Sequence, residues 1–183
     1  MTRRRFPATI ALVVALTLMG ALLRFYNLNA VAIRGDEVFT IRHWMRQPLA
    51  VTLAQNATSD PHPPLAYASY RAWALLVGEG EAVARFLPAL FSVLGIPALY
   101  ALGHRLGGRT MGGMAALLWA IHPYLIWHAQ DARNYALWSV LSAAALWLAL
   151  VALRRRRLID WALYIIVASA AAYMYYLELF VLL

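Results

Sequence analysis

The sequence predicts an all-α polytopic membrane protein, and three observations carry that prediction. First, 63% of the 183 residues are hydrophobic, whereas soluble domains are nearer half apolar. A chain this short cannot hide so much apolar surface in one soluble core. Second, residues 6–25, 83–103, 111–129, 135–153 and 159–183 form five apolar stretches, each long enough to cross a hydrocarbon core of about 30 Å. Third, the arginines cluster between those stretches, at Arg3 to Arg5, at Arg105 with Arg109, and at Arg154 to Arg157.

The formal charge is +8 and every one of the basic residues is arginine. Short basic runs between apolar segments are the signature of membrane topology, so no nucleic-acid partner is expected. The chain has no cysteine, which excludes disulfides and thiolate metal sites.

Taken in order, residues 6–25 follow a basic start and read as an uncleaved signal-anchor helix. The competing reading is a cleaved signal with Ala30-Val31-Ala32 as the processing site. Residues 26–82 form an outer loop. Within it, Gly35 to Arg46 reads as an amphipathic helix with Asp36 as N-cap. Val38, Phe39, Ile41, Trp44 and Met45 make its apolar face, with Arg42, His43 and Arg46 opposite, and Pro48 ends it. Asp60-Pro61-His62-Pro63-Pro64 is a stiff entry segment, because a residue before proline avoids the α region. Residues 64–78, at about 22 Å as a helix, are too short to span and carry Arg71, so they read as a second interfacial helix.

With the N-terminus cytoplasmic, all three arginine runs fall on the cytoplasmic side. Seven of the eight acidic residues (Asp36, Glu37, Asp60, Glu79, Glu81, Asp131 and Glu178) then lie on or near the opposite face. The expected domain is a single transmembrane module over residues 1–183, the front part of something longer.

Several side chains on the outer face could carry chemistry. Asp36, at a helix start, stays ionised because the helix dipole favours negative charge, which suits a general base or a ligand for a divalent metal ion. Glu37 is its candidate partner. His62 is held at the surface by its prolines. Pro123 breaks the span before it, and Gln130, Asp131 and Arg133 form a polar corner, either as a pair that pins the turn or with Arg133 binding a phosphate and Asp131 orienting a substrate. Glu178 joins Tyr173, Tyr175 and Tyr176 near the end of the last stretch. His122 and His128 match no strong metal-ligand spacing. Asn56-Ala57-Thr58 fits an acceptor sequon, a coincidence in a bacterial protein.

Three landmarks occur in a fixed order: Gly35-Asp36-Glu37, then His62-Pro63-Pro64-Leu65, then Gln130-Asp131-Ala132-Arg133-Asn134-Tyr135-Ala136-Leu137. Together with Arg85-Phe86-Leu87-Pro88 and the Leu102 to Arg109 loop, they resemble the bacterial branch of the dolichyl-phosphate-mannose-protein mannosyltransferase family, glycosyltransferase family 39. That family includes the lipid A aminoarabinose transferases and has the GT-C membrane fold. The chain departs from the family pattern where Asp131 and Asn134 replace the usual Glu and Met, and where Tyr175-Tyr176-Leu177 replaces a histidine-containing motif.

The resemblance implies inverting transfer of a sugar from a polyprenyl-phosphate donor lipid to an acceptor hydroxyl, outside the bacterial plasma membrane. Asp36 is the residue it marks as catalytic. Arg133, with Arg71 or Arg85, would meet the charge of the departing lipid phosphate, with His62, Asp131 and Glu178 completing the substrate site. The alternatives are a transporter using Asp36, Asp131 and Glu178 as a path, or a non-catalytic membrane subunit. Transporters place such charges at the midplane and show repeats, and neither feature is evident here.

Overall fold

A computed structural model describes residues 6–59 and 62–182; the Arg3 to Arg5 run, Asp60 and Leu183 lie outside the described residues, as does the side chain of Asn56. The described residues are helical with short connections. Helix α1 is Phe6–Phe25. Helix α2, Gly35–Phe39, runs directly into a π-helical segment, Thr40–Met45. Then come α3 (Leu49–Ser59), α4 (Pro64–Val77), α5 (Glu81–Ile121), α6 (Pro123–Ala129), α7 (Tyr135–Arg155), α8 (Leu158–Met174) and α9 (Glu178–Leu182). Three helices are long and apolar enough to cross a membrane, within Ala8–Phe25, Glu81–Ile121 and Tyr135–Arg155, and α8 is a shorter apolar helix.

α5 is not one rod. Gly107 and Gly108 leave helical geometry, with Gly108 at φ +77°, a left-handed conformation that glycine adopts without a Cβ penalty. The helix therefore doubles back into two arms, 81–106 and 109–121. The arms touch through bare backbone: a Cβ on Gly112 would stand 2.8 Å from the Tyr100 carbonyl oxygen, and one on Gly103 2.9 Å from that of Met111. The second arm ends at His122, whose extended backbone precedes Pro123. The expected stretch 111–129 is thus divided by that proline into an arm and the short α6.

α1 packs against α5 along Leu16, Gly20 and Arg24, which are buried, and leaves Ile10, Leu12, Val14, Leu18 and Leu22 exposed. That outer face suits lipid, and the four-residue spacing of the inner one is helical. Arg24 is buried without a carboxylate. Its Nε donates to Ser92 Oγ at 2.7 Å, Nη1 to the Gly20 and Ala120 carbonyls at 3.1 and 2.9 Å, and Nη2 to the Trp119 carbonyl at 2.7 Å. Trp119 and Ala120 lie in the last turn of the second arm, where carbonyls have no intrahelical partner. The cation thus closes a helix end and joins α1 to both arms.

The two arginine loops meet. Arg154 Nη2 donates to the Arg105 carbonyl at 3.4 Å, so the α5 turn and the α7–α8 turn share one end of the bundle. The α2 region, the entry to α4, the α6–α7 loop and the α8–α9 break share the other. α8 stops at Met174, short of the expected 159–183. Asn134 Nδ2 donates to the Met174 carbonyl at 2.6 Å and Tyr175 is extended at φ −156°, so the chain turns before α9.

Removing the Arg24 cation would strand the Ser92 hydroxyl and two end-of-helix carbonyls. Arg24→Leu should lower unfolding stability in detergent by roughly 2–4 kcal/mol, given about 1.5–3 kcal/mol for a hydrogen bond to a charged group. Denaturant titration followed by circular dichroism checks this.

Candidate active site

The site is built on Glu37. This residue is buried, and four donors converge on its carboxylate. Arg85 Nε donates to Oε1 and Arg85 Nη2 to Oε2, both at 2.7 Å. The Ala132 amide donates to Oε1 at 3.0 Å and the Arg34 amide to Oε2 at 3.2 Å. Arg85 spends its remaining nitrogen on the Leu28 and Val31 carbonyls, at 3.0 and 2.8 Å. Burial pushes the Glu37 carboxyl up, but the hydrogen bonds from Arg85, Ala132 and Arg34 outweigh it and hold it below the ordinary value.

Arg34, not Asp36, is the N-cap of α2. Asp36 is the second residue of the first turn, and its side chain is exposed. Successive helical residues point about 100° apart. With Glu37 turned into the protein, Asp36 faces out.

Arg133 comes from the α6–α7 loop and is buried. Its guanidinium lies 5.0 Å from the centre of the Trp44 ring, Nη2 is 3.0 Å from His62 Nε2, and Nη1 is 3.4 Å from the Asp36 carbonyl oxygen. An arginine only donates, so His62 Nε2 accepts. No carboxylate forms an ion pair with Arg133 among the described residues, and its Nε has no hydrogen-bond partner there. Tyr70 Oη donates to the Arg133 carbonyl at 3.0 Å. The His62 ring packs edge-on to Trp44 at 5.5 Å and stacks with Tyr175 at 6.4 Å. Pro63 is extended at ψ 155° and Pro64 opens α4, as the run of prolines predicts.

Asp131 sits in the same loop and turns the other way. It lines a small cavity of about 40 Å³ with Arg34, Glu37, Arg85 and Trp127. Burial, then the neighbouring charge of Glu37, pushes its carboxyl up to about 6, against the opposing pull of Arg133 and Arg34. Glu178 is fully buried at the start of α9, where Oε2 accepts from Trp138 Nε1 at 2.7 Å.

Of the residues singled out in the sequence, Asp36, Glu37, His62, Asp131 and Arg133 come together through these contacts. Glu178 lies next to them, through Tyr175. Two expectations need correction. Arg85 does not face a ligand, because every guanidinium nitrogen is committed to Glu37 or a loop carbonyl. Arg71 is not at the site: it donates to the Met45 and Arg46 carbonyls and pairs with Glu79 at 3.7 Å, closing the end of the π segment. The Glu37 carboxylate is likewise engaged, with four donors on its two oxygens. His122 caps α6 by accepting from the Tyr124 amide at 3.2 Å, and His128 packs among Tyr124, Trp127 and Tyr135. Among the described residues no group of three or more His, Asp and Glu side chains could hold a metal ion.

Two residues that the sequence placed on an apolar face and in the polar corner, without a site role, also build the site. Trp44, in the π-helical segment, is the platform under Arg133. Gln130 Nε2 donates to the carbonyls of Leu23, Arg24 and Tyr26 at 3.0–3.3 Å, tying the loop to the end of α1.

The family model for dolichyl-phosphate-mannose-protein mannosyltransferase matches residues 61–183. The chain belongs to this family. It is therefore a membrane glycosyltransferase of the GT-C type. The match begins after Gly35-Asp36-Glu37 and does not include Asp36. No curated protein and no solved structure matches the chain.

Glu37 and Asp131 should give opposite pH signatures. The folded pKa of Glu37 is depressed, so its stabilisation is complete above the unfolded value of about 4.3 and is lost as pH falls through the folded value. The folded pKa of Asp131 is raised, so its contribution is complete below about 3.9 and is lost as pH rises through about 6. Asp131→Asn should therefore raise the thermal midpoint at pH 7–8 and flatten its decline between pH 4 and 6. Glu37→Gln should destabilise at neutral pH by about 3–5 kcal/mol, since it strands a buried arginine. Thermal melts of both variants across that range check the pair.

Proposed function

We propose that this glycosyltransferase moves a sugar from a polyprenyl-phosphate-linked donor to an acceptor hydroxyl, with inversion, on the extracytoplasmic side of a bacterial plasma membrane. The observation that carries the reading is the contrast between two neighbouring carboxylates. Glu37 is saturated and fixed, whereas Asp36 is exposed and its carbonyl oxygen lies 3.4 Å from a buried guanidinium that has no carboxylate partner among the described residues.

Asp36 acts as general base and takes the proton of the acceptor hydroxyl. The acceptor oxygen bonds to the anomeric carbon while the bond from that carbon to the phosphate oxygen breaks. The electron pair of the broken bond stays on the lipid phosphate, and Arg133 meets its charge. A preorganised cation in a dry site needs no rearrangement at that moment. His62 positions Arg133 by accepting from Nη2. Asp131 and Glu178 support the site from behind: Asp131 faces the Glu37 cavity and the buried Glu178 holds Trp138. The chain acts as a single transmembrane module, and its donor keeps its tail in the bilayer.

Sidedness follows from charge. The Arg105/Arg109 turn and the Arg154 to Arg157 turn touch at one end of the bundle, and the positive-inside rule makes that end cytoplasmic. The site is at the other end.

Two experiments test this. In a polyprenyl-phosphate-sugar transfer assay on membranes, Asp36→Asn should reduce turnover by about 10²–10⁴, the usual worth of a general base, with unchanged protein level. Arg133→Gln should lower kcat/KM by roughly 10²-fold. Normal turnover by Asp36→Asn ends the assignment. The absence of cysteine makes the second experiment direct. In intact cells an impermeant maleimide should label Glu79→Cys, whereas Arg156→Cys should react only after permeabilisation; the reverse pattern would invert the proposed orientation.

A further inference from the structure

The end of the bundle opposite the site contains a cavity that the sugar-transfer reading does not use. It encloses about 450 Å³ between α1, the end of the first arm of α5 and α7. Its walls are mostly apolar, from residues such as Ile10, Tyr100 and Trp147, and His104, Arg105 and Arg109 bring polar and positive groups to it. The Arg105 guanidinium lies 5.6 Å from the centre of the Trp147 ring, and Tyr100 stacks on His104 at 5.8 Å. These contacts hold the cation at the cavity without neutralising it.

Anions are scarce at this end. Among the described residues neither Arg105 nor Arg109 forms an ion pair, and the carboxylate nearby in the chain, Asp160, is taken by Arg155 at 3.9 Å. An apolar slot between membrane helices with unpaired arginines beside it calls for one molecule with both a negative head and a hydrocarbon tail. We propose that this cavity binds an anionic phospholipid of the surrounding leaflet, with its phosphate on Arg105 and Arg109 and an acyl chain along the Ile10, Tyr100 and Trp147 walls. Basic pockets between membrane helices on the cytoplasmic side hold such headgroups. The site stands independently of the transfer reaction, because it lies beyond the far end of the arm that carries Arg85.

The test is native mass spectrometry of the full chain, exchanged into nanodiscs of equal phosphatidylglycerol and phosphatidylcholine. The wild type should retain phosphatidylglycerol selectively. Arg105→Gln/Arg109→Gln should lose about tenfold or more of that selectivity, as expected for two surface arginines. Arg156→Gln/Arg157→Gln, which removes equal charge outside the cavity, should keep it. Millimolar inorganic phosphate should fail to displace the lipid, because it cannot fill the apolar slot. Equal retention of both lipids by the wild type, equal loss in the two double variants, or full displacement by phosphate would each overturn the proposal. If the first double variant is poorly folded, the exposed Arg109→Gln alone should still lower selectivity, and no change there would also overturn it.

Discussion

The arrangement of the outer end depends on the bidentate pair between Glu37 and Arg85. A buried ion pair contributes little net stability once desolvation is counted, but its directional hydrogen bonds determine geometry. Here they reach four segments. Arg85 belongs to α5 and also binds the Leu28 and Val31 carbonyls, while Glu37 belongs to α2 and also accepts from Ala132 in the α6–α7 loop. Four donors on two carboxylate oxygens leave Glu37 nothing further to accept. The residue before it on the same turn points about 100° away. The Gly35-Asp36-Glu37 sequence therefore holds one exposed carboxylate and one buried, saturated one.

Arg133 shows the complementary device. A carboxylate partner would neutralise it. Instead it rests on the face of Trp44 and against the Nε2 atom of His62, interactions that fix the cation with no ion pair among the described residues. The nearest acid in sequence is directed away: the Arg133 amide donates to the Asp131 carbonyl at 2.7 Å, a tight turn that sends the two side chains to different surroundings. Asp131 is left facing Glu37, whose negative charge adds to burial in raising its pKa. One short loop thus presents an unpaired cation on one side and a reluctant anion on the other.

How much of this was legible beforehand follows from the range of each interaction. Helix content, the start of α4 at Pro64, the arginine turns and the convergence of Asp36, His62 and Arg133 at one end could be read from hydropathy, charge and proline placement, because those signals are local. The partner of each polar group could not. Nothing in the string says that Arg85 will find Glu37 across 48 positions, or that Arg71 will spend itself on the carbonyls of Met45 and Arg46. The resemblance implies phosphate contact for Arg71 or Arg85, since an arginine near an anion site has that chemistry; long-range packing engages both within the protein. The doubling back of α5 was visible in the arginine loop between the stretches 83–103 and 111–129, whereas at the early stop of α8 the Met174 carbonyl accepts from Asn134 of the α6–α7 loop.

The same contacts decide whether the first sixty residues belong to the site. The family match covers only 61–183, and that part alone contains Arg133, His62 and Arg85 but no Asp36. Its buried groups are nonetheless completed from the earlier part. Arg85 would lack Glu37 and two carbonyls, the Ala132 amide would lose its acceptor, Arg133 would lose the ring of Trp44, and the carbonyls of Trp119 and Ala120 would lose Arg24. A buried arginine stripped of its hydrogen-bond acceptors is costly. The matched segment therefore requires α1 and α2 to keep its own charges in place, and whatever holds Glu37 in position also brings Asp36 to Arg133.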